Sequence, residues 1–182
     1  MSTTFPRVKR GPGYDIDEVE DFLEDARRAY TGDRGSAQVV TAASIRQMGF
    51  SMKRGGYNPA AVDAALERLE DAFAARERDR AFSQEGDAAW YARARSSAQA
   101  ILDRLARGPG KRFSRVGPLT TAYDVKDVDA FAERLIAYFQ HGKPMSVDQV
   151  RTVVFRGAKR GYNETQVDLL LDAVIDVMLA VR

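Results

Sequence analysis

Apolar residues recur at intervals of three and four along most of the chain, the spacing that places side chains on one face of an α-helix. Three stretches show this pattern clearly: Val19, Phe22, Leu23, Ala26 and Tyr30; Val62, Ala65, Leu66, Leu69 and Phe73; Val128, Phe131, Leu135 and Phe139. A fourth stretch, from Asn163 onward, is the most apolar and is interrupted chiefly by Asp168, Asp172 and Asp176. The pattern predicts four amphipathic helices. We expect the helix from Asn163 onward either to be contacted from two sides within the chain or to bind a partner chain.

Each of these helices is predicted to begin directly after a tyrosine. An Asp or Asn follows the tyrosine, and such side chains cap the unpaired N–H groups at a helix N-terminus. Asp15 with Glu18, and Asn163 with Gln166, also have the spacing of a capping box. The four tyrosine pairs are Tyr14-Asp15, Tyr57-Asn58, Tyr123-Asp124 and Tyr162-Asn163.

The tyrosine pairs mark four related segments. The two A segments, residues 5–30 and 113–139, share Phe-x-Arg-Val, Tyr-Asp, and a valine followed by an acid. The two B segments, residues 45–73 and 150–178, share a phenylalanine, a basic turn, Tyr-Asn and Val-Asp. The order A, B, connector, A, B indicates an internal duplication. We predict a mainly α fold with two tandem helical halves, residues 1–82 and 111–182, joined by an amphipathic helix within 83–110 and with short strands at Phe-x-Arg-Val.

Each B segment is predicted to carry a short additional helix before its basic turn. Thr41 and Ser146 are the expected caps, and the short helices are predicted to end at Phe50 and Phe155. The turns that follow read KRGGYN from Lys53 and KRGYN from Lys159. Their glycines, including Gly56 and Gly161, are expected to supply the positive φ that a tight turn requires.

The connector has a charged part and an amphipathic part. Residues 75–87, ARERDRAFSQEGD, are highly charged and are expected to be exposed up to Gly86. Asp87 is the expected cap of a helix that Gly108-Pro109-Gly110 stops. That helix carries Trp90, Ala94, Ile101 and Leu105 on one face, which must pack on something.

Composition narrows the function classes. The 28 Lys and Arg nearly balance the 26 Asp and Glu, and the net charge of +2 predicts no global attraction to nucleic acid or to a membrane. Absence of cysteine excludes disulfides and thiolate chemistry. The N-terminus lacks the apolar core of a signal peptide, and no apolar run is long enough for a membrane span. We expect a cytoplasmic protein.

The residues give little support to an enzyme. The sole histidine, His141, is better explained by a helix C-terminus or a solvated loop than by catalysis. We find no metal-ligand cluster, no nucleophile with its base and no dinucleotide fingerprint, so no cofactor and no small-molecule substrate are expected. Nucleic acid is a weak alternative: RVKRGPG, KRGG and AKRG are basic, as are Arg93, Arg95, Arg104, Arg107, Lys111 and Arg112, but acids in the same helices offset them.

The B segments resemble the N-terminal motif of the DivIVA family, in which a short helix, a Phe, an Arg- and Gly-containing turn, Gly-Tyr-Asn and then Val-Asp open a helix. The repeated layout is similar to that of bacterial proteins with tandem DivIVA-type motifs, and it covers most of the chain. The resemblance implies a scaffold or adaptor in cell division and polar growth that gathers at curved membrane. The residues that carry it are Tyr14, Asp15, Phe50, Gly56, Tyr57, Asn58, Tyr123, Asp124, Phe155, Gly161, Tyr162 and Asn163.

The turns depart from the family pattern. Family members place a phenylalanine and an arginine just before Gly-Tyr, for the bilayer and its anionic head groups, whereas this chain has Arg54-Gly55 and Lys159-Arg160 there. Met52, Val8 and Leu119 are apolar residues that could replace the aromatic wedge. The resemblance therefore implies binding to a membrane or a partner through Lys9, Arg10, Lys53, Arg54, Lys159 and Arg160. The alternative is a purely soluble protein-interaction module whose turns are only structural.

The family's coiled coil is the second departure, because no heptad run of sufficient length is present. We hypothesise that segments A and B pack on one another within the chain as a covalent pseudo-dimer. A fragment that ends near Gly86 should then fold by itself. Self-association or a protein partner is expected, with peripheral contact at the inner membrane face as a further expectation.

Overall fold

The structure is a computed structural model that describes residues 4–32 and 40–181. Seven helices and four short strands occupy these residues, which confirms the mainly α fold. The helices are α1 (Ile16–Thr31), α2 (Ala42–Arg46), α3 (Pro59–Glu85), α4 (Asp87–Leu105), α5 (Val125–His141), α6 (Val147–Arg151) and α7 (Glu164–Ala180). The strands are β1 (Pro12–Tyr14), β2 (Met52–Arg54), β3 (Thr121–Tyr123) and β4 (Gly157–Lys159).

Contacts divide the chain into two compact units, residues 1–80 and 81–182. In the first unit α1, α2 and the first part of α3 surround a core of Phe5, Val19, Ala26, Ala42, Ile45, Tyr57, Val62, Leu66 and Phe73. In the second unit α7 packs against α4 and α6, and α4 also contacts α5. Trp90 and the buried Ala94, Ile101 and Leu105 lie on the predicted apolar face of α4, and the indole Nε1 donates a 2.9 Å hydrogen bond to the Ala180 carbonyl.

The duplicated sequence folds into duplicated packing. The rings of Phe5 and Tyr57 meet edge to face at 5.3 Å between centroids, and Phe113 meets Tyr162 at the same distance. The rings of Tyr14 and Phe50 lie 5.4 Å apart, and those of Tyr123 and Phe155 lie 5.2 Å apart. Edge-to-face geometry at these distances favours aromatic pairs beyond their burial alone. Each unit thus contains one A segment packed on one B segment.

A valine and an acid at fixed places after each tyrosine explain how A and B interlock. The valines Val19, Val62, Val128 and Val167 are all buried, with exposed fractions of 3% or less. The acid directly after each valine faces the tyrosine of the other segment. The Tyr57 hydroxyl donates to Glu20 at 2.5 Å, and Tyr162 donates to Asp129 at 3.1 Å. In the opposite direction, from the A segment to the B segment, the Tyr14 hydroxyl bonds Asp63 and the Tyr123 hydroxyl bonds Asp168.

These tyrosines remain protonated donors. Burial is the first cause that raises the pKa of Tyr14, Tyr123 and Tyr162, and for Tyr57 the first cause is its hydrogen bond to Glu20. A neutral hydroxyl that donates to a carboxylate makes a charge-assisted hydrogen bond, stronger than a bond between neutral groups. The pairs are reciprocal, so each segment supplies both a donor and an acceptor.

Gly56 and Gly161 are required for close approach rather than for positive φ, contrary to our expectation. Their φ angles are not positive; the positive values in these turns belong to Gly55, at 73°, and to Arg160, at 56°. A Cβ on Gly56 would lie under 3.0 Å from the Tyr14 carbonyl oxygen, and one on Gly161 would do the same at Tyr123. The tyrosine after each glycine donates its N–H to that same carbonyl, at 2.9 Å and 2.8 Å. The backbones touch there because no side chain intervenes.

The short helices end earlier than predicted, at Arg46 and Arg151 instead of Phe50 and Phe155. Both phenylalanines leave the helix so that their rings can pack on the A segment, as Phe50 does with Tyr14 and Phe22. The extended backbone that follows accepts hydrogen bonds from the cap residues of the A helices, from Asp15 to Ser51 and from Asp124 to Arg156. Tertiary contacts therefore override the local helical pattern.

The predicted caps Asp15, Asp124 and Asn163 accept backbone hydrogen bonds from the first turns of α1, α5 and α7. The predicted capping boxes are wrong. The side chains of Glu18 and Gln166, the third residues of α1 and α7, bond the other segment instead of their own cap residues. Glu18 accepts from the Ser51 N–H at 2.7 Å, and Gln166 accepts from the Ser114 N–H at 2.9 Å. Reciprocal boxes form instead at the short helices, where Thr41 pairs with Ser44 and Ser146 with Gln149.

The charged stretch 75–87 is exposed only in part, because its first four residues are half-buried whereas residues 83–85 are exposed. It is helical as far as Glu85, and Arg76 and Glu77 are half-buried in the first unit. Arg76 donates to the Ala29 carbonyl at 2.9 Å and stacks on Tyr30, while Glu77 accepts from the Ala42 N–H. Asp87 is not the cap of α4 but its first residue, after Gly86 with φ 83°. Charged side chains with long stems can serve such half-buried positions.

Arg112, one of the basic residues behind the nucleic-acid alternative, is buried, with 2% of its surface exposed. Its guanidinium donates to the Leu105 carbonyl at 2.9 Å and pairs with Asp129 at 2.9 Å and with Glu133. Asp129 also accepts from the Gly110 N–H at 2.7 Å. The network joins the end of α4 to α5 and to the Tyr162 hydroxyl. A buried charge is tolerated only with such full pairing.

The close approach at Gly161 gives the first prediction. We expect Gly161→Ala to lower the free energy of unfolding by about 2 kcal/mol, because the new methyl group overpacks against backbone that cannot move aside. Gly117→Ala is the matched control, since a Cβ there meets nothing within 4 Å. It should change stability by less than about 0.5 kcal/mol. Chemical denaturation followed by circular dichroism measures both, and equal effects of the two variants would contradict the role assigned to Gly161.

Candidate docking site

Each unit carries one two-stranded antiparallel ribbon. In the first ribbon Pro12 pairs with Arg54 and Tyr14 with Met52; in the second ribbon Thr121 pairs with Lys159 and Tyr123 with Gly157. The Phe-x-Arg-Val stretches contribute one bridge residue each, Arg7 and Arg115, beside these strands. We call the ends of the ribbons the tips: Lys9, Arg10, Gly11, Arg54 and Gly55 form the first tip, and residues 117–120 with Lys159 and Arg160 form the second tip.

The first tip is cationic. Lys9, Arg10 and Arg54 are exposed, and none of them forms an ion pair with another described residue. Lys53 lies one residue before the tip and turns back, where it forms an ion pair with the buried carboxylate of Asp15. Its hydrogen bond to that carboxylate lowers the pKa of Asp15 and raises the pKa of Lys53. Lys53, one of the predicted binding residues, therefore stabilises the start of α1 through the cap residue Asp15.

The second tip combines cations with an apolar side chain. Leu119 is 89% exposed, and its carbonyl oxygen accepts a 2.6 Å hydrogen bond from Lys159 Nζ. Arg160 is exposed at the turn itself. Of the other apolar candidates, Met52 is 52% exposed and Val8 is half-buried. Leu119 is thus the apolar residue that projects furthest into solvent at a tip.

Strand register shows that the two basic turns occupy equivalent backbone positions but carry different residues there. Counted from the following tyrosine, Lys159 stands where the first turn has Arg54, and Arg160 stands where it has Gly55. The counterpart of Lys53 is Ala158, which pairs with Ala122 as Lys53 pairs with Gly13. The second turn has one glycine fewer, so its left-handed position falls on an arginine.

Arg160 is the one non-glycine residue with positive φ among those described. The left-handed region costs a side-chain-bearing residue on the order of 1–3 kcal/mol, and such outliers cluster at functional positions. The sister turn shows that glycine fits this backbone, because Gly55 has φ 73°. The arginine side chain is therefore not needed for the turn to form.

An ion pair fixes the base of the second ribbon. The Arg156 guanidinium contacts Asp127 through Nε at 2.8 Å and Nη2 at 2.6 Å, and the Arg156 N–H also donates to the same carboxylate. These bonds lower the pKa of Asp127 to about 2. In the first unit Glu18 and Ser51 hold the corresponding places and make only the backbone bond. A bidentate Arg–carboxylate pair adds geometric definition to the strand that follows it.

The structural motif residues lie behind the tips and support them. Tyr57 and Tyr162 are buried, Tyr14 and Tyr123 are half-buried, and Phe50 and Phe155 are half-buried against the tyrosine rings. Asn58 directly precedes α3 and Asn163 caps α7. Sequence reasoning missed the acids Glu20, Asp63, Asp129 and Asp168 as tyrosine partners. The available signal was a carboxylate at the same distance after every tyrosine.

Comparison of the chain with protein-family models, with curated proteins and with solved structures finds no match. Within residues 4–32 and 40–181, no group of His, Asp and Glu side chains could hold a metal ion. None of the helices in that part of the chain combines the length and the apolar character needed to cross a membrane.

Arg160 gives a prediction about strain. We expect Arg160→Gly to raise the free energy of unfolding by up to about 1 kcal/mol, because glycine adopts the left-handed conformation without a clash. The reciprocal change Gly55→Arg should lower stability by a similar amount. Urea denaturation measures both changes. A loss of stability in Arg160→Gly would contradict strain at this residue.

Asp127 gives a prediction about pH. Because its folded pKa lies below its ordinary value, the ion pair with Arg156 stabilises the fold above about pH 4 and loses that contribution as the pH falls toward 2. An NMR titration should therefore show the Asp127 carboxyl titrating near pH 2 in the natural protein. Arg156→Gln should raise that pKa toward its ordinary value, although the retained backbone N–H bond keeps part of the shift, whereas Lys126→Gln, a change at a nearby exposed cation, should leave it low. A natural-protein pKa already near 4 would contradict the ion pair.

Proposed function

We propose that the protein is a non-catalytic adaptor that docks on an anionic surface through its second tip, and that this surface is the inner face of a membrane. The observation that carries the proposal is the exposed Leu119 beside Lys159 and a conformationally strained Arg160. An apolar side chain flanked by cations suits an interface in which head groups are negative and acyl chains lie just below.

The magnitudes allow weak, local docking. Each basic residue near an anionic surface contributes about 1 kcal/mol. Burial of a leucine side chain adds about 1.5–3 kcal/mol. The first tip has exposed cations of its own, Lys9, Arg10 and Arg54. Since the net charge is only +2, attraction depends on these local sites and should weaken with salt.

The resemblance to DivIVA-type proteins supports the same proposal. In that family a turn at this place joins an aromatic residue and an arginine for membrane contact. Here the frame of the turn, with its glycine, tyrosine and Asx cap, lies beside Leu119 from the loop before β3 instead of carrying an aromatic in the turn itself. A role in organising cell division or polar growth is part of this proposal.

The alternative, a protein-interaction module without membrane contact, is favoured by one observation. Two of the turn cations have structural partners, since Lys53 pairs with Asp15 and Lys159 bonds the Leu119 carbonyl. If the remaining cations only keep the loops solvated, neutral substitutions at the second tip would have no effect on surface binding.

Vesicle sedimentation tests the proposal. We expect the natural protein to sediment with vesicles that contain phosphatidylglycerol and not with vesicles of phosphatidylcholine alone. Lys159→Gln with Arg160→Gln removes two contributions of about 1 kcal/mol and should weaken binding roughly 30-fold. Leu119→Asp should reduce it further, because it removes the apolar contact and adds an anion.

The matched control is Arg107→Gln with Lys143→Gln, which removes the same charge from exposed positions outside the tips. It should bind almost as well as the natural protein. Equal binding by both double variants would mean that only overall charge matters. Absence of any binding by the natural protein would leave the protein-interaction module as the better reading.

A further inference from the structure

An open apolar groove lies in the second unit between α4, α5 and α7. It has a volume of about 360 Å³, and its walls include Tyr91, Tyr138, Phe139, Val177 and Val181. Tyr91 is 39% exposed and Val181 is 51% exposed. Apolar grooves between helices commonly receive the apolar face of another helix.

The lip of the groove is cationic. Arg95 is the charged residue in its lining, is exposed, and forms no ion pair with another described residue. A complementary surface would present an apolar side chain flanked by carboxylates.

The chain itself carries such a surface on α7. Leu169 is 61% exposed and follows Asp168 directly, and Asp172 lies one turn further along the helix. The shared fold does not require a leucine there, because the corresponding residue of the first unit is Ala64. The exposed leucine is therefore available for a contact with a second molecule.

We propose that the groove of one copy binds the Leu169 face of α7 from a second copy. Leu169 enters the apolar part of the groove, and Arg95 pairs with carboxylates beside it. The groove and the Leu169 face are different surfaces of the same molecule, so the contact is heterologous, and successive copies add head to tail. This association is independent of membrane docking, since neither surface includes residues of the tips.

Sedimentation velocity of the full chain at increasing concentration, up to about 1 mM, tests the proposal, because one helix face in one groove makes a small and therefore weak interface. We expect the natural protein to form dimers and longer species as concentration rises. Arg95→Glu and Leu169→Asp should each remain monomeric. Both positions are exposed, so circular dichroism should show unchanged folding.

Mixing the two variants is the decisive experiment. Arg95→Glu keeps an intact Leu169 face and Leu169→Asp keeps an intact groove, so the mixture should form one-to-one dimers and nothing longer. Arg107→Glu and Leu119→Asp are matched controls on other exposed surfaces and should associate like the natural protein. The proposal is overturned if the natural protein stays monomeric, if either variant associates normally, or if the mixture stays monomeric.

Discussion

Both units depend on the close crossing of two backbone segments at a glycine. At Gly56 and at Gly161 the B segment passes against the carbonyl group of a tyrosine in the A segment, and no side chain separates the two chains. Tyr57 and Tyr14 exchange hydrogen bonds of 2.9 Å in both directions at this point. The crossing also sets the tyrosine side chains opposite the acids of the partner segment. Because donors and acceptors are reciprocal, neither segment satisfies its buried polar groups without the other.

This packing of A on B leaves the residues of the ribbon tips free to differ between the two units. The buried valines, the aromatic pairs and the tyrosine–acid bonds are the same in both units, whereas the tips differ in residue type and, on the A side, in loop length. The first turn places a glycine in the left-handed position and uses a lysine to hold Asp15; the second places an arginine there and uses Arg156 with Asp127 to fix its base. Exposed tip residues bury little surface, so substitutions there have small effects on stability and can follow function instead.

The second unit differs further because α4 packs on it. Arg112 joins the end of that helix to α5 and to Tyr162, and the place of Arg112 in the first unit is held by the exposed Thr4. The cation is tolerated in the interior because Asp129 and Glu133 pair with it. The apolar groove exists only because α4 and α5 flank α7, so this added helix gives the unit a surface that the shared A–B frame does not define.

The sequence by itself determined the main amphipathic helices, the starts of those capped by Asp15, Asp124 and Asn163, and the duplication, because helical periodicity and capping involve residues only a few positions apart. It also identified the cations of the tips as candidate binding residues and Leu119 as a candidate apolar contact. Only the tertiary structure decided the partners of Glu18, Gln166, Lys53 and Arg112, each of which has nearby groups of suitable charge but bonds a residue far along the chain or in the interior. It likewise decided that Gly56 and Gly161 serve close contact, and that Arg76 and Glu77 in the charged stretch are half-buried. A local pattern states what a side chain can bond, whereas the packing of distant segments decides which of those groups comes within reach.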